Sequence, residues 1–331
     1  MPSLILTTRC PNTCAWCFAR AKMKHYSGRG IFEFDWDTFV RAVDFFERSS
    51  EACVNLLGGE PLLHSRIVDI LGYLRERGFM INIGTTGVVP SSLVNRLAGM
   101  HFQNILFGVN STSYFSYGPR KRAKVDYFLR NIGHPTGISY TLTERDLASK
   151  DPFPILDRLA MITRFSLRRN VTLQVAAPAE RNRDFVPFEC CGDAADIAAD
   201  WIRILGKNRI TCSLDCHSIP ECRYPEGHPL ASTLRPICRS FPLDIGPDLD
   251  IWPCFPLAHM GVPLERFRDF SSVRKHFAEI LRGRDLHFDE TCGDCRAPAE
   301  GKCHGGCLGF QTLRENRNRP HLPARREAVN P

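Results

Sequence analysis

No apolar run in this 331-residue sequence reaches the roughly 18 residues needed to cross a bilayer as a helix. No basic stretch followed by an apolar one opens the chain either, so neither a membrane span nor a secretory signal is expected. Aromatic residues interleaved with basic ones are also missing, as is any nucleic-acid-binding motif. The net charge of +7 therefore does not by itself point to a nucleic-acid partner. Its local concentration at Arg120, Lys121, Arg122 and Lys124 reads most simply as a solvated loop, with an acidic electron donor, a phosphate or nucleic acid as alternatives. Among the 11 histidines, His25, His64 and His101 lack the spacing of metal ligands and read as surface or core residues. What the sequence has in excess is cysteine, 15 in all. Without a secretory signal these read as metal ligands in a reducing compartment rather than as disulfides, and a cytoplasmic protein is expected.

Three of the cysteines, Cys10, Cys14 and Cys17, follow the apolar run SLILTTR with the spacing CxxxCxxC. Three thiolates on one short loop can hold three irons of a 4Fe-4S cluster and leave the fourth open to a bidentate ligand. A zinc site is the simpler alternative for the triplet alone. Further along, Gly58-Gly59-Glu60-Pro61 closes the strand-like run ACVNLL, and Trp16 stands just before the third cysteine. With these features the chain resembles the radical S-adenosylmethionine (SAM) superfamily. The resemblance implies that Cys10, Cys14 and Cys17 bind a 4Fe-4S cluster whose open iron takes the amino and carboxylate groups of SAM. It further implies that Trp16 lies beside the SAM adenine. Gly58 and Gly59 would let the backbone approach the SAM ammonium, and the Glu60 carboxylate would accept from it.

Short apolar runs alternate with amphipathic ones through the first two thirds of the chain. Strands are expected at 3–8, 52–57, 80–85, 104–109, 137–142 and 171–176, and helices near 37–48, 64–77, 91–98, 122–131 and 153–164. Alternation of this kind argues for parallel strands with crossover helices. Six such units match the open, partial (β/α)6 TIM-like barrel that the resemblance implies, and strand ends in such barrels carry the active-site groups. The cysteine loop and the Gly58-Gly59 turn then share one rim. Asn110 and Ser111, at the end of the fourth strand, are expected cofactor contacts on that rim. Thr85, Thr86, Thr143, Glu144 and Gln174 occupy similar positions and serve equally well as caps or loop residues.

From about residue 177 the composition changes. A helical stretch, ADIAADWIRIL, leads to RITCSLDC, a candidate further strand. After it come closely spaced prolines, glycines and cysteines, with a hairpin turning at Gly246-Pro247 between Cys238 and Cys254. This part resembles the SPASM or twitch module of many radical SAM enzymes, so the fold class expected is α/β, a partial barrel over 1–215 followed by a small cysteine-rich α+β module over 216–331. The resemblance implies one or two auxiliary 4Fe-4S clusters. Cys238, Cys254 and Cys307, with Cys222 as the simplest upstream partner, would hold the first. Cys292, Cys295 and Cys303 would hold the second, with no cysteine after Cys307 to complete it. An open iron, Cys212, Cys216 or His304 are the substitutes. A zinc ribbon of Cys292, Cys295, Cys303 and Cys307 is the competing reading. Cys53, Cys190 and Cys191 read as structural.

The resemblance implies reductive cleavage of SAM to methionine and a 5′-deoxyadenosyl radical that abstracts hydrogen from unactivated carbon, with one electron from a flavodoxin- or ferredoxin-type donor. An auxiliary cluster favours oxidation or cross-linking, hence modification of a peptide or protein side chain. Only nine residues precede Cys10, so a separate leader-peptide-binding partner is expected with that substrate. A sugar or aminocyclitol dehydrogenase, dehydratase or epimerase is the alternative with a small-molecule substrate. A non-catalytic metal-binding scaffold is the alternative of another class.

Overall fold

The computed structural model describes residues 1–148, 159–160, 162–164, 169–179, 182–215, 219–224, 227–230, 241–282, 292, 294–296, 300 and 307–310. Seven strands run parallel in chain order: β1 (Ser3–Ile5), β2 (Cys53–Leu57), β3 (Met80–Thr85), β4 (Ile105–Asn110), β5 (Thr136–Leu142), β6 (Asn170–Val175) and β7 (Thr211–Asp215). Helices cross between them: α1 (Arg20–Gly28) and α2 (Trp36–Arg48) after β1, α3 (Ile67–Glu76), α4 (Ser91–Ala98), α5 (Pro119–Asn131) and α6 (Glu144–Ala148) after β2 to β5, and α7 (Cys191–Lys207) before β7. This is the expected α/β architecture, an open, mostly parallel sheet. The six expected strands form with ends within two residues, except that the first stops at Ile5. There Thr7 and Thr8 turn to donate their hydroxyls to the Phe32 carbonyl at 3.0 and 3.2 Å. RITCSLDC supplies β7, parallel to β6. The helix expected over 153–164 falls mostly outside the described residues.

Strict alternation gives each strand two unlike faces. On one face Ile81, Ile83, Phe107, Val109, Ile138 and Leu173 are buried in a single core with Leu74, Val94 and Phe128 from the covering helices. Phe107 meets Phe128 edge-on at 5.5 Å. Each such side chain stabilises by roughly 1.5–3 kcal/mol when fully buried. The opposite face carries Asn82, Gly84, Gly108, Asn110, Ser139 and Gln174, all half-buried. It faces away from the helices that cover the first face. α2 shows the local logic clearly. The Asp35 carboxylate caps it by accepting from the Thr38 N–H at 2.9 Å, and Phe39, Ala42, Val43, Phe45 and Phe46 form its buried stripe.

Beyond β7, the hairpin anticipated at Gly246-Pro247 forms from β8 (Asp244–Ile245) and β9 (Asp250–Trp252), with β10 (Val262–Pro263) paired to β9. β8 also pairs in parallel with β1, Ser3 opposite Asp244, so the hairpin extends the sheet on the side away from β2. Three of the helices, α1, the short α6 and a last one, were not anticipated. α1 buries only Met23 and Tyr26, too sparse a stripe to read from spacing. α8 (Phe270–Arg282) sits on α2, where Phe270 meets Phe45 and Phe46 at 4.9 and 5.0 Å.

Candidate functional site

The cysteine loop leaves the carboxyl end of β1, where parallel sheets gather their reactive groups. Cys10 is exposed, while Cys14 and Cys17 are half-buried, and all three are free thiols. The Cys17 N–H donates to the Cys14 carbonyl at 3.2 Å. The Arg20 guanidinium donates to the carbonyls of Thr13 and Cys14, closing the loop onto the start of α1. Cys14 Sγ lies 3.1 Å from Ser113 Oγ. Although Cys10 opens to solvent, the surrounding chain desolvates its thiol and pushes its pKa up to about 11, aided by the charges of Glu60, Cys14 and Cys17. Burial raises Cys17 too, again helped by Cys14. Three free thiols on one short loop offer the soft ligands that an iron centre binds as thiolates. The soft donor set therefore fits an iron-sulfur cluster. Trp16 is half-buried on the same loop.

The turn after β2 lies directly against this loop. Gly59 N–H donates to the Thr7 carbonyl and Glu60 N–H to the Arg9 carbonyl, both at 2.7 Å. A Cβ on Gly59 would stand 2.4 Å from the Arg9 oxygen, and Gly58, at φ +144°, would bring one 2.6 Å from the Thr7 oxygen. Only glycine allows so close a backbone approach. Sequence reasoning has the Glu60 carboxylate reaching toward a ligand; the structure places it beneath the turn with no exposed surface. One oxygen accepts from Thr85 Oγ1 (2.7 Å) and Leu62 N–H (3.4 Å), the other from Thr86 N–H (2.7 Å) and Thr86 Oγ1 (2.6 Å). Four donors fill the four acceptor positions of a carboxylate. Burial nonetheless holds its pKa above the usual carboxylate range. Thr85 and Thr86, noticed in the sequence only as strand-end residues, are thus what anchors this turn to β3.

At the end of β4, Ser111 is buried and donates Oγ–H to the Ser139 carbonyl at 2.9 Å. Asn110 lies on the polar face of the sheet, accepting from Thr112 N–H at 3.1 Å and donating to Thr141 Oγ1 at 3.4 Å. Thr141 in turn donates to Gln174 Oε1 at 3.3 Å, so a polar row spans β4, β5 and β6. Sequence reasoning missed Asn12, on the cysteine loop itself, and Ser113 and Tyr117, which the fold brings to it. No periodicity marks them, because their partners lie about a hundred residues away. The basic run Arg120–Lys124 is not a loop but the first turns of α5.

The C-terminal cysteines divide into two places. Cys222, on the short turn Glu221–Arg223, lies close enough to Cys191, Cys292 and Cys295 for their charges to interact. The same turn meets the start of α7, where the Arg223 guanidinium covers the Phe188 ring at 4.4 Å. Cys254 follows β9. Cys307 is buried, and a Cβ on the nearby Gly309 would stand 2.4 Å from the Pro178 carbonyl and 2.9 Å from Pro256. The segment that carries Cys307 thus packs against Pro256, just after Cys254, while its Phe310 meets the Phe188 ring at 5.8 Å. Cys212 sits in β7 with its pKa pushed up to about 12 by burial. Cys216, Cys238, Cys303 and His304 lie outside the described residues. Among the described residues no three histidine, cysteine or acidic side chains converge at the spacing of a single metal ion.

The first part of the chain has likenesses among known proteins. Residues 4–135 match the family model of the Radical SAM superfamily. The matched stretch contains the cysteine loop, the Gly58-Gly59 turn and the ends of β3 and β4. A tungsten-containing aldehyde ferredoxin oxidoreductase cofactor-modifying protein of Pyrococcus furiosus is 28% identical over 110 residues, 32% of this chain and 30% of that protein. A 2-succinyl-5-enolpyruvyl-6-hydroxy-3-cyclohexene-1-carboxylate synthase of Staphylococcus epidermidis is 29% identical over 107 residues, 31% of this chain and 19% of that protein. The chain thus matches less than a third of the length of either relative. Among solved structures, Streptococcus suis SuiB bound to SAM superposes with a TM-score of 0.66 at 14% identity, covering 94% of this chain and 73% of that one. SuiB bound to its precursor peptide SuiA gives 0.64 at 15%, covering 94% and 72%. At such identities the likeness to SuiB is one of fold.

Proposed function

We propose that the chain is a radical SAM enzyme that modifies a peptide or protein side chain. The observation that carries the catalytic part is the meeting of three free thiols with the Gly58-Gly59 turn at the carboxyl rim of a sheet whose first part matches the radical SAM family. When bound there, a 4Fe-4S cluster and SAM would supply one-electron cleavage of the sulfonium and hydrogen abstraction from carbon. In this reading Cys10, Cys14 and Cys17 ligate the cluster. Gly58 and Gly59 leave room and carbonyl oxygens for the SAM ammonium, and Glu60 holds their turn in place from below. Trp16 flanks the adenine, and Asn110 and Ser111 border the cofactor on the β4 side. The polar face of the sheet behind them, with Asn110, Ser139 and Gln174, is the side from which a substrate chain would reach the centre.

The peptide substrate is supported by the fold shared with SuiB, whose structure contains a precursor peptide. A separate leader-binding partner belongs to the same reading, as does an acidic flavodoxin- or ferredoxin-type donor meeting the exposed Arg120 and Lys124. We also assign one or two auxiliary clusters to the C-terminal cysteines. The proximity of Cys222 to Cys292 and Cys295 favours these three, with Cys303, as one ligand set, leaving Cys238, Cys254 and Cys307 as the other. Reconstitution under anaerobic conditions, followed by measurement of 5′-deoxyadenosine formed with dithionite, tests the catalytic part. Formation of 5′-deoxyadenosine is expected, and its absence from an iron-loaded protein would sink the reading. Coexpression with candidate precursor peptides, read by mass change, tests the substrate.

A further inference from the structure

The segment between Cys10 and Cys14, held from α1 by Arg20, is gripped from α5 by a lysine. Lys121, in the first turn of α5, donates from Nζ to the Pro11 carbonyl at 2.6 Å and to Asn12 Oδ1 at 3.0 Å. Asn12 Nδ2 donates to the Tyr117 hydroxyl at 2.6 Å, and the Lys121 ammonium stands 5.5 Å from the Tyr117 ring centroid. Lys121, Asn12 and Tyr117 therefore form a closed set of contacts, with the Cys14–Ser113 approach beside it on the same two segments. Its neighbours in the basic run behave differently. Arg120 and Lys124 are exposed, and Arg122 donates to the Phe115 carbonyl at 2.8 Å within its own segment. Only Lys121 of the four turns onto the cysteine loop.

We propose that Lys121, acting through Pro11 and Asn12 together with Tyr117, is a positioning residue that fixes the Cys10–Cys14 segment and sets a cation beside the cluster these thiols hold, making that cluster easier to reduce. This rests on the cluster reading given above. A thiolate-bound cluster gains negative charge when it accepts an electron. A fixed ammonium favours the more negative state, and charge and hydrogen bonding around the sulfurs set the potential. Asn12 carries the effect toward the ligand, because it lies between Cys10 and Cys14 and its side chain is held on both sides, by Lys121 and by Tyr117. The three donors of an ammonium suit this task, two of them being spent on the loop.

The test compares wild type, Lys121→Met and Lys121→Arg as full chains. Two quantities are read: the midpoint potential of the SAM-responsive cluster signal in a dithionite titration followed by electron paramagnetic resonance, and hydrogen exchange of residues 12–14 before iron is added. Lys121→Met is expected to shift the potential to more negative values and to speed exchange about tenfold or more, as befits the loss of a charged hydrogen bond. Lys121→Arg should retain most of both, and Tyr117→Phe, which keeps the cation, should speed exchange with the smaller shift in potential. An unchanged potential in Lys121→Met overturns the proposal even if exchange accelerates, since the lysine would then be only a brace. A wild-type chain with no SAM-responsive signal overturns the cluster reading and this inference together, and is recognised without reference to any variant.

Discussion

Cys10, Cys14 and Cys17 leave a single strand end within one short loop, whereas Cys222, Cys254, Cys292, Cys295 and Cys307 arrive from separate segments of the last third of the chain. The first set is framed by backbone. The Gly59 and Glu60 N–H groups bond to the loop, a buried carboxylate ties their turn to β3, and Lys121 closes the loop from α5. The second set is framed by packing of short turns on α7 and on the hairpin, and a metal would have to draw it together. The difference teaches where rigidity is placed. On the reading proposed above, a site that would present one open iron to a cofactor is prebuilt on the sheet, while the ligands of a cluster that would need only to be held are left to assemble with it.

The sharpest way to break this contrast is Cys14→Ala. It should abolish 5′-deoxyadenosine formation while leaving the C-terminal iron, about four or eight irons per chain for one or two auxiliary clusters. A variant that cleaves SAM at the wild-type rate, or one that loses all iron, would show that the two sets are not independent.

Next in size is Glu60→Ala, which leaves the Thr86 N–H and the Thr85 and Thr86 hydroxyls without their acceptor. A loss of about 2–4 kcal/mol is expected in denaturant unfolding of the iron-free chain. Wild-type stability with weakened SAM binding would instead make Glu60 a direct cofactor contact.

The seam between the two regions gives a third test. Asp244 on β8 is fully buried beside β1, and burial pushes its pKa up to about 7 from an ordinary value of 3.8. The folded state therefore binds this proton more tightly than the unfolded chain. The associated stability is fully present below pH about 4 and is lost as pH rises through about 7, amounting to a few kcal/mol. Asp244→Asn should flatten that part of the stability-pH curve measured by urea unfolding between pH 4 and 8; an unchanged slope would mean that Asp244 does not titrate there.

The smallest expected effect is at Tyr26→Phe. The Tyr26 hydroxyl donates to Asp248 at 2.9 Å, joining the helix after the cysteine loop to the hairpin between Cys238 and Cys254. Its loss should cost about 1–2 kcal/mol. Gly246→Ala, whose Cβ would stand 1.8 Å from the same hydroxyl, should disturb the junction more. Equal stability of the two variants would indicate that the hairpin is held by β1 alone.

The sequence by itself determined the repeating strand-helix units, the cysteine loop and glycine turn at successive strand ends, and the hairpin at Gly246-Pro247. All of these rest on short-range patterns: alternation at period 2, helical spacing, fixed cysteine intervals and turn residues. Only the tertiary structure decided that β8 lies against β1, that Glu60 is spent on Thr85 and Thr86, that Cys222 stands near Cys292 and Cys295, and that one lysine of a basic run turns inward to hold the loop. Each of these joins residues whose separation along the chain carries no period. Their meeting is set by how the twisted sheet and its helices pack, and which hydrogen bonds a buried group accepts is settled only by the neighbours that packing supplies.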